Sequence, residues 1–520
     1  MLPVPRTSRP VEVAAPTRGW VTNANLSQPL QKAALVLDNW FPLPTGIKLR
    51  GGCAKYATLG APVKAMWSYQ SGSTEKLFAA TETAIFDITT VADKNTPPSA
   101  DVSSLNSGEW TFVQFETSGG DFLVGVNGAD TPREYDGTSW SSSTMSHGSL
   151  NTSNLSHVWA YKERLFFIED DSMRFYYLPA GAKTGNLSDF SLAGVFSRGG
   201  SLLFGATWSL DSGDGVDDLC VIVSTLGEVA VYQGDDPSDV NAWSLVGRYD
   251  IAAPLGKNAT ERAGGDLLIA TKEGIVPISA AIRKDPAALS LSAVTAAIEP
   301  SWVAEVNVRS GNPWTLQQYT EKNMMIVGMP SPSAGVEKMS YVVNVETGAW
   351  CRFVGAPWDI SAQTVLLGIH YVGGSSGIVY QTDIGGSDDG QNYVCKYAGH
   401  PESMGAPGGF KSVNLMRAAF RATKAFIPRC SASINYDVQF PSPPDSVSAP
   451  SEDTWDNGLW DTAEWDAGTA QTVITSEWQA VTAAGYSIIP QVQVTCGITP
   501  KPDAELISID VMTEIGGVVV

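Results

Sequence analysis

Short apolar runs recur along the chain, each followed by a turn and a second run that carries an aromatic near its end. The first pair covers residues 76–80 and 83–87, and the second 121–126 and 133–140. Further pairs fall at 164–168 and 173–177, 219–223 and 229–234, 266–270 and 274–278, 324–328 and 341–345, and 366–368 and 377–381. The pairs repeat every ~40 to 55 residues, the spacing of a four-stranded propeller blade. The first run of each pair is almost continuously apolar, which suits an inner strand covered on both faces by neighbouring blades. The pattern therefore predicts an all-β fold, an irregular β-propeller of about seven blades with an additional C-terminal β-domain. Its buried inner positions are Leu77, Phe78, Leu123, Val124, Leu165, Phe166, Val221, Ile222, Leu268, Ile269, Ile326 and Val327. A set of β-sandwiches is the alternative, because sandwiches also space short strands regularly.

Helical signals are few. Residues 285–289 and 291–298 predict one short helix, stopped near Pro300. The Gly-rich stretch 385–390 reads as the exit from the repeats. The chain then divides into an N-terminal arm and platform segment (1–60), a propeller (61–388) and a C-terminal β-domain (389–520). Four prolines in the first 18 residues predict an extended arm.

Composition sharpens this picture. Of 520 residues, 43% are hydrophobic and only 17% charged, against a usual ~25% charged. With 50 Gly, 31 Pro and 16 Trp, the chain is rich in turn formers and in aromatics that favour pleated faces. A coiled-coil or long-helix protein is excluded.

The net charge of −21 argues against a general grip on nucleic-acid phosphates. The charge is unevenly placed. Residues 403–430 hold Lys411, Arg417, Arg421, Lys424 and Arg429 and no acid, whereas residues 431–520 hold 13 acids and one base, a net of −12. Such asymmetry is either a solvated face or a surface facing a partner. The six cysteines form no CxxC pair and read as thiols of a reducing compartment. The first residues lack a secretory apolar core, and no run of 18 apolar residues predicts a membrane span.

Signals for chemistry are sparse. The four histidines, His147, His157, His370 and His400, have no zinc-site spacing. There is no GxSxG elbow and no phosphate-binding loop of the Walker type. Asp211 to Asp218 concentrates carboxylates without the twelve-residue pattern of a calcium hand, and reads as a solvated turn. Residues 135–140 are similar to the Asp-box of sialidases, except that Asp136 and Gly137 are adjacent where that motif keeps a residue between them. They predict a β-turn with a packing tryptophan. No catalytic residue, metal site or cofactor is expected. Trp-Asp recurs at 455, 460 and 465, a period that fits neither strand nor helix and predicts a structured loop. Trp455, Trp460 and Trp465 could anchor an interface, stack on sugar, or cap their own core.

Two stretches resemble a known family. Ala34 to Pro42 follows an A-x-x-L-x-N-x-x-P phrase, and Gly46 to Gly52 follows G-x-x-x-R-x-G. Together they resemble the N-terminal signature of tail hub and nozzle proteins of short-tailed bacteriophages. The Trp-Asp repeat, with residues 485–490 and 514–517, is similar to the C-terminal region of such proteins. The resemblance touches both ends and the general layout of the middle.

It implies a non-enzymatic structural protein of the virion tail, assembled in the host bacterial cytoplasm. Family members form homo-hexameric rings below the portal and adaptor and contact distal tail components. They extend and close the channel through which DNA passes without specific binding. A carbohydrate-binding or glycan-cleaving propeller is the alternative. Residues Trp455, Trp460, Trp465, Arg417, Arg421 and Lys424 are the expected assembly interface, with the basic strip of one copy meeting the acidic tail of the next.

Overall fold

The computed structural model describes residues 8–26, 30–148, 150–211, 216–283, 289, 293–423, 426–446, 472–497 and 503–515. Most of them lie in β-strands. Seven strands surround a central channel: Ala65–Ser71, Thr111–Thr117, Leu155–Tyr161, Leu202–Asp211, Thr260–Ala263, Thr315–Tyr319 and Ala362–Leu366. Each is the first strand of an antiparallel meander that runs outward from the channel.

The expected count of about seven blades is off by one when free-standing sheets are counted. Five four-stranded sheets and one three-stranded sheet, Thr260–Ala263 with Asp266–Thr271 and Gly274–Pro277, make six blades. The remaining sector of the ring, Thr315–Tyr319 to Trp350–Val354, is not a separate blade. It forms one half of an eight-stranded sheet that continues through Ala34–Asp38, Tyr393–Gly399, Ile488–Cys496 and Arg429–Ile434.

The continuous apolar runs occupy the second strand of each sector, not the strand at the channel. Leu77, Phe78, Leu123, Val124, Leu165, Phe166, Val221, Ile222, Leu268, Ile269, Ile326 and Val327 are all buried. A second strand has a hydrogen-bonded strand on each side and a neighbouring blade over each face, so both of its faces favour apolar residues. Each fully buried large apolar side chain there contributes ~1.5–3 kcal/mol. The first strands border the channel and carry more polar residues, as in Thr315-Leu316-Gln317-Gln318-Tyr319. In the last sector Leu366 and Leu367 lie at a hairpin corner, and the second strand is Ile369–Gly373.

The ring closes with strands from both ends of the repeat region. Ile378–Thr382 pairs with Cys53–Thr58, so a strand from the N-terminal segment completes the last blade. The expected boundary at residue 60 is thus crossed by the sheet itself. The expected helix stop near Pro300 is not observed. Pro300 lies in the first turn of the helix Glu299–Arg309 and so begins a helix instead of ending one. Proline suits that position because its missing N–H would be unpaired there anyway. Residues 285–288 and 290–292 lie outside the described residues.

The C-terminal β-domain packs a seven-stranded sheet against the eight-stranded one. Its central ladder joins Lys411–Ala422 to Ala504–Ile515, with the N-terminal strand Ser8–Ala14 on the far side of the latter. Trp40, Trp350, Tyr341, Met416, Phe420, Val494 and Leu506 share one core that spans both sheets and the ring sector they join.

Candidate functional site: the junction of propeller and C-terminal sheets

The residues that resemble the hub signature converge at this junction. Asn39 sits between two strands, Ala34–Asp38 of the eight-stranded sheet and Trp40–Pro42 of the seven-stranded one. It turns the chain with a left-handed φ of 62°, a conformation that asparagine tolerates better than most residues. Its Nδ2 donates to the Val394 carbonyl at 2.8 Å, and its Oδ1 accepts from the Val354 N–H at 2.8 Å and from Arg50 Nε at 2.8 Å.

Arg50 is fully enclosed. Nη1 donates to the Gly51 carbonyl at 2.8 Å and to Asp388 Oδ1 at 2.9 Å, and Nη2 donates to Asp388 Oδ2 at 2.6 Å and to the Val354 carbonyl at 3.3 Å. With Nε on Asn39, all five guanidinium donors are matched. The Tyr393 ring lies 3.8 Å from the guanidinium carbon, and the Tyr393 hydroxyl donates back to the Arg50 carbonyl at 2.7 Å. Burial alone would lower the Arg50 pKa. Asp388 outweighs it, so the group is held more firmly charged than in water. A second fork lies beside the first, where Arg352 donates to Asp38 at 2.7 and 2.9 Å. Both forks have the bidentate geometry in which arginine–carboxylate bonds are strongest.

Gly51 and Gly52 are needed for close approach. A β-carbon on Gly51 would stand 2.1 Å from Asp383 Oδ1, and one on Gly52 2.1 Å from the Ser387 carbonyl oxygen. The Gly-rich stretch 385–390 therefore passes directly against the signature loop. The sequence pointed to Asn39, Arg50 and the glycines but not to their partners Asp388, Tyr393 and Val354. Those lie more than 300 residues away, with no local pattern to mark them.

Of the expected interface residues, Arg417 donates to Asp510 at 2.8 Å and Arg421 to Glu505 at 3.2 Å within the same chain. These are facing positions on the central ladder of the seven-stranded sheet. The basic strip and part of the acidic tail are therefore neighbouring strands of one sheet. Lys424, Trp455, Trp460 and Trp465 lie outside the described residues.

The channel of the propeller is a separate cavity of about 690 Å³ bordered by all seven first strands. Lys257 reaches across it, and its Nζ donates to the Glu109 carbonyl at 2.5 Å and the Ser156 carbonyl at 3.0 Å. Burial lowers its pKa to about 8. Burial also raises Glu261 to about 7 and lowers His157 to about 3, where Nε2 bonds the Gly205 carbonyl at 2.9 Å. Nothing in the sequence around 257–261 set these residues apart. Among the described residues no cluster of three His, Cys, Asp or Glu side chains is placed to hold a metal, and no helix is long and apolar enough to cross a membrane.

No protein-family model and no curated protein matches the chain. Solved structures are similar at low identity. The computationally designed Ika8 protein aligns with 63% of this chain and 99% of its own at 11% identity and a TM-score of 0.36. BBS1N, crystallised in complex with ARL6DN, aligns with 64% of this chain and 97% of its own at 11% identity and a TM-score of 0.40. Chaetomium thermophilum Raptor aligns with 64% of this chain and 29% of its own at 12% identity and a TM-score of 0.40. Likenesses at this level assign no function.

Proposed function

We propose that the chain is a non-enzymatic structural protein of a bacteriophage tail, a hub or nozzle subunit below the portal and adaptor that extends and closes the DNA exit channel. One observation carries the reading. The signature residues Asn39, Arg50 and Gly52, which resemble this family, are consumed in joining the propeller to the C-terminal sheets. Arg50 has no donor left for a substrate. A motif spent on joining two domains fits a protein whose task is to hold a shape and transmit load.

In this reading six copies close a ring through heterologous contacts. The adaptor-side ring and the distal tail components are the partners, in a virion assembled in the bacterial cytoplasm. DNA passes along the axis of the ring without specific binding, consistent with the chain's net charge of −21. The C-terminal domain, with Trp455, Trp460 and Trp465, is the proposed source of ring contacts. The test is mass photometry with negative-stain imaging of the purified chain. A closed ring of six, 6 × 55.2 kDa or about 331 kDa, is expected. A monomer or trimer that binds or cleaves a glycan array would replace this reading with the carbohydrate one.

A further inference from the structure

The propeller channel holds two ionisable side chains of opposite sign, Lys257 and Glu261, that form no ion pair among the described residues. Both are partly exposed and border the cavity of about 690 Å³, a size that suits a small ligand. Lys257 precedes the channel strand Thr260–Ala263, and its side chain crosses one mouth of the channel to the carbonyls of Glu109 and Ser156, at the start of two other channel strands. Those bonds use two of the three N–H groups of its ammonium. Glu261 is the second residue of Thr260–Ala263 and accepts from the Gln318 N–H.

Neither group acts on the other. Glu109 and Asp170 are the charges that act on Lys257, and Arg262 is the one that acts on Glu261. The ammonium and the carboxyl therefore stand apart within one cavity. Burial opposes the charge of each, so an opposite charge brought beside either is worth more than it would be in open water. The other charged groups on the border are engaged or stand in solvent. Lys64 pairs with Glu82 and Glu109 at 3.7 and 3.5 Å. Arg262 donates to Ser209 Oγ at 2.8 Å, and that hydroxyl donates to Asp218 at 2.6 Å. Lys162 and Glu163 form an exposed turn. Met66, Val113, Ala160 and Ala206 add partly exposed apolar surface to the same wall.

A matching ligand has an anionic end, a cationic end and a short apolar link. One molecule that carries both charges gives up its translational freedom once, where two separate ions would do so twice. Being neutral overall, it is not repelled by a chain of net charge −21. We propose that the propeller channel binds a small zwitterion of the ω-amino-acid class, with its carboxylate set against Lys257, its ammonium against Glu261 and its methylene chain on the apolar wall. The proposal stands on the cavity and does not depend on the tail assignment.

The probes are 4-aminobutanoate and 6-aminohexanoate, titrated to ~10 mM against the full chain by saturation-transfer NMR, a range suited to weak binding. The pH is held at ~7.5, between the values at which Glu261 and Lys257 titrate. At least one of the two is expected to bind several-fold more tightly than hexanoate or hexylammonium, which carry one charge each. Glu261→Gln should weaken the zwitterion about tenfold and leave hexanoate unchanged. Lys257→Met should weaken it similarly and leave hexylammonium unchanged. If Lys257→Met lowers the melting temperature through its lost carbonyl bonds, Glu261→Gln decides alone. The proposal is overturned if neither amino acid binds, if a singly charged analogue binds as tightly, or if Glu261→Gln binds the zwitterion equally well.

Discussion

Arg50 and Asp388 stand 338 residues apart in sequence and form a two-pronged ion pair at 2.6 and 2.9 Å, almost wholly removed from solvent. The pair ties the signature loop to the exit from the propeller. A carboxylate left without its arginine, or the reverse, would be a buried uncompensated charge. Arg50→Ala and Asp388→Ala are therefore expected to destabilise the chain by ~3–5 kcal/mol each, read from urea unfolding. Arg50→Lys should recover only part of this, since lysine cannot reproduce the fork. A loss below ~1 kcal/mol in either alanine variant would show that the pair is not needed for stability.

Close packing at Gly52 gives a second expectation. Gly52→Ala sets a methyl group 2.1 Å from a backbone oxygen, and overpacking of this kind costs ~1–3 kcal/mol or more. Gly335→Ala is the control, because its methyl group meets nothing within 4 Å. Equal melting temperatures for the two variants would contradict the geometry.

Glu261 should make stability pH-dependent. Burial holds its proton in the folded chain up to about pH 7, whereas the unfolded chain releases it near 4.5. Between these values unfolding releases a proton, so stability falls as pH rises, by roughly 3 kcal/mol. Glu261→Gln should flatten that slope. Lys257 acts in the opposite sense at higher pH. The unfolded chain keeps its proton to about 10.5 and the folded chain only to about 8, so stability rises across that window. Chemical denaturation between pH 4 and 11 checks both signs.

All six cysteines are buried. Burial pushes Cys220 and Cys430 up to about 12 and moves Cys53 and Cys351 upward as well. Thiolate, the reactive form, is thus scarce. Labelling with an aromatic disulfide at pH 8 should be slow in the native chain and reach six thiols only after unfolding. Rapid native labelling of even one thiol would show an opening that the fold does not explain.

Arg417 and Arg421 are partly exposed, and their ion pairs lie within one sheet. Arg417→Ala should cost under ~1 kcal/mol because both partners are partly exposed, whereas Arg421→Ala leaves the buried Glu505 carboxylate without its ion pair and should cost more. Particle mass for the two variants, measured across salt concentrations, then reads any contribution between copies apart from folding. A ring that falls apart with salt only in the variants would place these residues at an interface as well.

The apolar runs were legible because a second blade strand is apolar on both faces, and a continuous run of this kind survives in one dimension. The same run could not tell a second strand from a channel strand. That depends on which side of the sheet meets the channel, and Gln317 beside Ile326 shows the difference only once the ring is closed. Leu366 and Leu367 misled for a related reason, because two leucines at a hairpin corner read like the start of a strand. Pro300 marked a helix terminus but not which one, since proline is tolerated in a first turn and disruptive later.

The sequence by itself determined the strand-rich class, the repeat and the buried positions. Those features follow from local runs of apolar residues and the turns between them. Tertiary structure alone decided that one ring sector fuses with the C-terminal sheet, that Cys53–Thr58 closes the last blade, and that Arg50 meets Asp388. It also decided what the two charge blocks mean. Sequence shows a basic stretch followed by an acidic tail. The register of one antiparallel ladder sets Arg417 opposite Asp510 and Arg421 opposite Glu505, because strand pairing is fixed by long-range hydrogen bonding and core burial.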